Sequence, residues 1–438
     1  MTQLTTLIAT FAVVFGGLVA TQAAAEASPP SPSFYSPPAG FETTAPGTVL
    51  KFRATTVATI GLPLPIGVRA WQLLYRTSDE SGRPTATVTT VLAPPPSRST
   101  SRLLSYQLFE DATAPQCAPS RNLSTGADLD GVLPASASLV LVAAALNRGW
   151  TVAIPDHEGQ NSRFTAPREP GYAVLDGIRA ATRFSPTGLS SSSAVGVAGY
   201  SGGALATGWA AQVQPRYAPE INLVGAAMGG TPVDIGAVPE HLDGSLEAGI
   251  GLFVIAGLRH SYPRLSERLD RYLTPAGRAA FARLSRGCAV SNTLLSIGQS
   301  YGPLFNRPFR TVWRDPVIRS ARQQAQLGGD PTTVPRFIYH AVADEVVPVS
   351  GVDRYITSEC ARGAQITERR EALGLHVTTA LTGLPASLDW LDRQSRSASP
   401  PRTSVCDIAT VPSLVTTSPG STLRTLEQSV RAMFGLTG

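Results

Sequence analysis

Apolar and polar positions along the chain fall into two regimes. The early part carries strand-like runs around Thr48–Thr56 and Val68–Arg76, then Thr85–Leu92 with Thr and Val alternating, and Leu103–Phe109. Pro94-Pro95-Pro96 ends the third of these, since proline cannot continue a ladder. The pattern then changes. Ala137–Leu146 has helical spacing, Trp150–Ile154 is a continuous apolar strand, Tyr172–Phe184 is helical, Ala194–Ala198 is a strand and Gly203–Val213 a helix. Alternating helices and strands predict a mostly parallel sheet with helices on both faces. The strands are apolar throughout because both their faces are covered.

From about Val233 to Thr332 the alternation stops. Leu246–Leu258 predicts an apolar helix, and Pro263–Leu273 and Pro275–Leu284 predict amphipathic ones. The sheet pattern resumes at Arg336–Val342. The organisation expected is therefore a core in two parts, 46–232 and 333–438, with a helical cap, or lid, inserted at 233–332.

The N-terminus adds a third kind of segment. Met1 to Ala25 hold no charged side chain, Leu7–Ala20 is an apolar run, and Ala23-Ala24-Ala25 precedes Glu26. This predicts a signal peptide over 1–25. The rival reading, an uncleaved anchor, needs roughly 20 apolar residues, which the run does not supply. Residues 26–45, opening with Ser28-Pro29-Pro30-Ser31-Pro32-Ser33, predict a Pro/Ser-rich linker. The expected location is extracellular or at the cell envelope. Four cysteines, Cys117, Cys288, Cys360 and Cys406, are an even number in an exported chain and predict two disulfides. Spacing alone leaves three pairings open, and the absence of a C-x-x-C pair argues against a thiolate zinc site.

Composition narrows the function. Apolar residues make up 43% and charged residues 15%, enough for a large packed core. The net charge of +5 is modest and forms no basic stripe with interleaved aromatics, which excludes a nucleic-acid partner.

The chemistry centres on Gly199-Tyr200-Ser201-Gly202-Gly203, a G-x-S-x-G between a strand and a helix of small residues. A nucleophilic serine needs a turn too tight for side chains on either side, and the helix N-terminus behind it favours negative charge. This context predicts the nucleophile elbow of an α/β-hydrolase fold. A serine hydroxyl needs a base. The chain offers His157, His241, His260, His340 and His376. The order Ser, acid, His in this fold removes His157. His241 and His260 lie in the insertion, and His340 lies inside a strand as a core histidine would. His376, in the loop Gly374-Leu375-His376, remains. The acid belongs at the exit of the strand Arg336–Val342, where Asp344 and Glu345 are the candidates. Asp344 is favoured, with Glu345 expected to point away. The tetrahedral intermediate needs two donors. One is the Gly202 N–H, and the other belongs to the loop Glu110-Asp111-Ala112-Thr113. Asp156-His157-Glu158-Gly159 begins like a zinc motif, but Asn161 stands where the second histidine belongs, so it predicts a polar structural loop.

Several separated segments, in order, resemble the secretory lipase family of the Candida lipase A type. They are Phe34-Tyr35-Ser36-Pro37-Pro38, Tyr75-Arg76-Thr77, Asp156-His157-Glu158-Gly159, Leu175-Asp176-Gly177-Ile178-Arg179-Ala180, the elbow itself, Gly229-Gly230-Thr231-Pro232 and Asp344-Glu345-Val346-Val347-Pro348. The resemblance implies a triad of Ser201, Asp344 and His376, and an oxyanion contact from Asp111 beside Gly202. It also implies the pairings Cys117–Cys288 and Cys360–Cys406, and a cap that shapes an acyl-binding tunnel. Leu375 replaces an acidic residue often found before the histidine, and Glu110 replaces an amide. The function expected is hydrolysis of carboxylic esters, triacylglycerol lipase-like, through an acyl-enzyme, with no metal or organic cofactor. Acyl transfer on the same scaffold and a non-catalytic binding protein are the alternatives. The expected partner is a lipid or ester small molecule, with transient contact at a lipid interface and no obligate protein partner.

Overall fold

The computed structural model describes residues 32–57, 67–125, 139, 141–397, 406–417, 420 and 427. The signal peptide expected at 1–25 lies outside them. Ten strands form one sheet: β1 (Val49–Ala54), β2 (Arg69–Ser78), β3 (Pro84–Ala93), β4 (Arg102–Gln107), β5 (Trp150–Pro155), β6 (Ala194–Tyr200), β7 (Leu223–Gly229), β8 (Arg336–Ala341), β9 (Ile366–Glu371) and β10 (Cys406–Val411). Their order is β1-β2-β3-β5-β4-β6-β7-β8-β9-β10. The first three strands and β5 pair antiparallel, and every pairing from β5 to β10 is parallel. This is the α/β-hydrolase arrangement that the alternating pattern predicts.

Successive residues of the central strands feed opposite cores, as a period of two requires. Leu103, Ala153 and Val197 join Val174, Ile178, Leu205 and Trp209 from the helices Glu169–Arg183 and Gly202–Tyr217. On the other face, Leu104, Val152 and Ile154 join Leu141, Val142 and Leu146, together with Leu384, Leu388 and Leu391 of the helix His376–Arg396. That last helix is pinned at its far end. Asp392 accepts from Trp150 Nε1 at 2.7 Å, from Arg102 at 2.8 Å and from Arg148 at 2.8 Å. Its first residue is His376.

Between β7 and β8 the chain turns helical. The main helices are Ala248–Ser261, Pro263–Asp270, Pro275–Leu284 and Pro316–Gln324. Three begin with proline at the first position, which has no N–H to leave unpaired. Thr274 caps one of them by accepting from Gly277 N at 3.1 Å. Leu252, Phe253, Leu258, Leu265 and Phe281 are buried in the same cluster as the sheet's inner face, so the segment packs on the core.

Two expectations need correction. The linker expected over 26–45 is not free along its length. Phe34 and Tyr35 are buried against Leu74, Ala86 and Val88, because two aromatic rings gain more from burial than a Pro/Ser context suggests. The helix expected over Pro263–Leu273 stops at Asp270, and Leu273 instead bridges to Phe305. The disulfides are Cys117–Cys288 and Cys360–Cys406, the pairings that the resemblance implies.

Candidate active site

β6 runs two residues beyond its apolar stretch, to Tyr200, and the helix Gly202–Tyr217 starts immediately after Ser201. Ser201 occupies φ 53°, ψ −124°, a conformation costly for a residue with a β-carbon. The surroundings hold it there. Its N–H donates to Gly229 O at 2.8 Å and its carbonyl accepts from Leu205 N at 3.1 Å. The glycines are required by close approach. A β-carbon at Gly199 would lie 2.4 Å from Gly203 O, and one at Gly203 would lie 2.1 Å from Gln107 O.

His376 reaches this hydroxyl, with Nε2 3.0 Å from Ser201 Oγ. Its Nδ1 lies 2.8 Å and 3.0 Å from the two oxygens of Asp344. Asp344 stands in the turn after β8, where Val346 N and Val347 N donate to its Oδ1 at 3.0 Å and 2.7 Å. Burial pushes the Asp344 carboxyl up. The hydrogen bond from the His376 ring and the backbone donor Val347 N–H outweigh it and hold the group below the usual carboxylate range. An ionised Asp344 keeps the imidazole proton on Nδ1 and leaves Nε2 free to accept from the serine.

The two remaining acidic and aromatic neighbours divide differently from the sequence expectation. Glu345 does not simply point away: its Oε2 accepts the backbone N–H of His376 at 2.8 Å. Tyr200, the variable residue of the elbow, donates its hydroxyl to His376 O at 2.5 Å, and its ring packs 5.1 Å from the imidazole. Sequence reasoning weighed Glu345 only as the alternative acid and gave Tyr200 no task, because both contacts join positions far apart in the chain.

The other histidines fall as follows. His340 is fully buried, as a core residue would be, but it also faces the acid. Its Nε2 lies 3.0 Å from Val347 O and 3.3 Å from Asp344 Oδ2. A carbonyl only accepts, so this nitrogen carries the proton, and burial keeps the ring neutral by lowering its pKa. His260 Nε2 pairs with Asn161 O at 2.8 Å, and His241 is exposed in a short helix.

Asp111 has φ 40° and lies directly over Gly202, where a β-carbon would come 1.7 Å from its Oδ1. Burial pushes its carboxyl up to about 7, against the charge of His376. The loop that carries it is tied twice. Glu158 Oε2 accepts from Ala112 N at 3.3 Å, and the Cys117–Cys288 disulfide joins it to the helical segment. Leu373, Leu375, Val377 and Leu381, all exposed, flank His376, with Val377 and Leu381 one turn apart on the same helix face. Glu110, His157 and Glu158, fully enclosed, bring one ligand atom each to within 4.8 Å of one another.

Known proteins share this chain's sequence and fold. The family model described as secretory lipase matches residues 123–402. The chain is 39% identical over 365 residues to a Mycobacterium tuberculosis (strain CDC 1551 / Oshkosh) protein named "Probable inactive lipase MT1628", covering 83% of this chain and 81% of that one. It is 38% identical over 378 residues to Lipase 10 of Candida albicans, covering 83% and 81%. Among solved structures, Candida antarctica lipase A in its closed state superposes with a TM-score of 0.79 at 30% identity, covering 92% of this chain and 94% of that one.

Proposed function

The chain belongs to the secretory lipase family, and we propose that it is an active serine hydrolase of carboxylic esters. The observation that supports activity, against the relative whose name calls it inactive, is the unbroken line from Ser201 Oγ to His376 Nε2 at 3.0 Å and from His376 Nδ1 to Asp344 at 2.8 Å. In this reading His376 takes the hydroxyl proton as Ser201 Oγ bonds to the ester carbonyl carbon. The negative charge that develops on the carbonyl oxygen is met by the N–H of Gly202, at the head of a helix, and by the Asp111 loop. The intermediate collapses with cleavage of the C–O bond, and His376 returns the proton to the departing alcohol. Water then gives its proton to His376 and bonds to the acyl carbon, the acyl–Oγ bond breaks, and His376 returns the proton to Ser201 Oγ as the acid leaves. Asp344 orients the imidazole and balances its charge throughout.

The substrate class we infer is a lipid-like ester. The apolar residues around His376 form a rim suited to a lipid surface, and segment 233–332 acts as the cap over the acyl chain. The family's name, the disulfides and the apolar N-terminal run support export of the chain.

The test is hydrolysis of p-nitrophenyl esters from acetyl to palmitoyl by the chain lacking 1–25, beside Ser201→Ala. A fluorophosphonate label is followed by peptide mass analysis. Turnover and a label on Ser201, both lost in the variant, are expected. A folded protein that neither turns over nor labels replaces this reading with a binding protein on a hydrolase scaffold. Activity retained in the variant moves the nucleophile elsewhere.

A further inference from the structure

The ester chemistry leaves unused one group of buried side chains. Glu110 follows β4, and His157 and Glu158 follow β5, its neighbour in the sheet. The three are 5%, 2% and 2% exposed, and one donor atom from each lies within 4.8 Å of the other two. Both oxygens of Glu110, Nδ1 of His157 and Oε1 of Glu158 lack a side-chain partner among the described residues, while the backbone N–H of Glu158 faces the Glu110 carboxyl and the Pro155 carbonyl faces the His157 ring. The ion pairs among those residues bring no arginine or lysine to any of the three.

Ionised carboxylates and an unprotonated imidazole nitrogen only accept, so the group is satisfied either by protons on its carboxyls or by a cation. Buried acceptors left unpaired are costly, and unpaired buried carboxylates more so. A divalent cation satisfies all of them at once. Two carboxylates and one imidazole, with no thiolate, suit Zn²⁺ among the biological metals, with Mn²⁺ a weaker match.

We propose that Glu110, His157 and Glu158 form a structural divalent-cation site that takes Zn²⁺. The ion joins the loop after β4 to the loop after β5. Glu110 is the chain neighbour of Asp111, and Glu158 also accepts from Ala112 N, so the site braces the loop lying over Gly202. It takes no part in the ester chemistry. It differs from the histidine–glutamate zinc motif that Asn161 breaks, because its third ligand comes from another strand end.

The experiment uses the disulfide-intact chain, purified without a metal-affinity tag or chelator. Elemental analysis should find about one zinc per chain, and Glu110→Gln and His157→Gln should each lose it. Removal with dipicolinate should lower Tm by roughly 5 °C or more, restored by added Zn²⁺. Refolding with Co²⁺ should give visible d–d absorption in the wild type and none in the variants. Wild-type protein that carries no zinc, shows no Co²⁺ band and keeps its Tm on adding Zn²⁺ overturns the proposal and leaves the carboxyls held by protons. Metal bound equally by both variants also overturns it. The wild-type arms decide the question even where a variant does not fold.

Discussion

Glu345 holds the backbone of His376 through a 2.8 Å hydrogen bond, while its chain neighbour Asp344 holds the ring. Two adjacent carboxylates thus fix one residue at two points. In the proposed mechanism Asp344 bears on the proton and Glu345 on the position. We predict that Asp344→Asn lowers kcat by about 10⁴, as removing the acid from such a triad does. Glu345→Ala should cost about tenfold, the worth of one hydrogen bond. Glu345→Gln, whose amide oxygen still accepts, should recover most of that. Kinetics on p-nitrophenyl butyrate check this, and equal losses in Asp344→Asn and Glu345→Ala would contradict separate roles.

The elbow makes a steric prediction. Gly203→Ala puts a β-carbon 2.1 Å from Gln107 O, a backbone atom in β4 that cannot swing aside. A destabilisation of about 1–3 kcal/mol is expected, a fall of a few degrees in Tm. Gly302→Ala, where the nearest atom is Ser300 Oγ at 3.8 Å, should leave Tm within a degree of wild type. Differential scanning fluorimetry on both variants is sufficient.

A pH dependence follows from Arg163, which serves two carboxylates. It donates to Glu169 Oε2 at 3.0 Å and to Glu80 Oε1 at 2.6 Å. Burial and then the hydrogen bond with Glu80 push the Glu169 carboxyl up to about 8, so the pair keeps a proton near neutrality. A carboxyl raised in the folded state adds stability that is complete below its unfolded pKa of about 4.3 and lost as pH rises through the folded value. Tm should therefore decline between pH 5 and 8, and Glu169→Gln should flatten that slope. An unchanged slope in the variant would rule out this pair as its source.

The apolar rim predicts a split between substrates. Leu373 is 79% exposed and Leu381 52% exposed. Leu373→Asp and Leu381→Asp should slow hydrolysis of emulsified long-chain triacylglycerol at least tenfold while p-nitrophenyl acetate turnover stays within threefold. Equal losses on both substrates would mean that the substitutions disturb His376 rather than interfacial contact.

Much of this was legible in the sequence, for local reasons. The elbow is written in consecutive residues, and with five histidines, elimination reached His376. Strands β7, β9 and β10 were not legible in the same way. β7 reads Leu-Val-Gly-Ala-Ala-Met-Gly, small because a side chain at Gly225 would meet the Trp390 ring at 2.6 Å. β9 reads Ile-Thr-Glu-Arg-Arg-Glu, and its charges are accommodated only in three dimensions. Glu368 pairs with Arg370, and Glu371 accepts from Thr379, Thr382 and Ser413. The contacts of Tyr200 and Glu345 with His376 span 176 and 31 residues, beyond any local pattern.

The helical segment enters after Gly229 and leaves before Arg336, so Ser201 lies wholly before it and Asp344 and His376 wholly after it. On the proposed reading, the stretch of gene that encodes the cap is therefore separate from the stretches that encode the triad. Substitutions within it alter the proposed acyl-binding surface and leave the residues of the proposed triad unaltered.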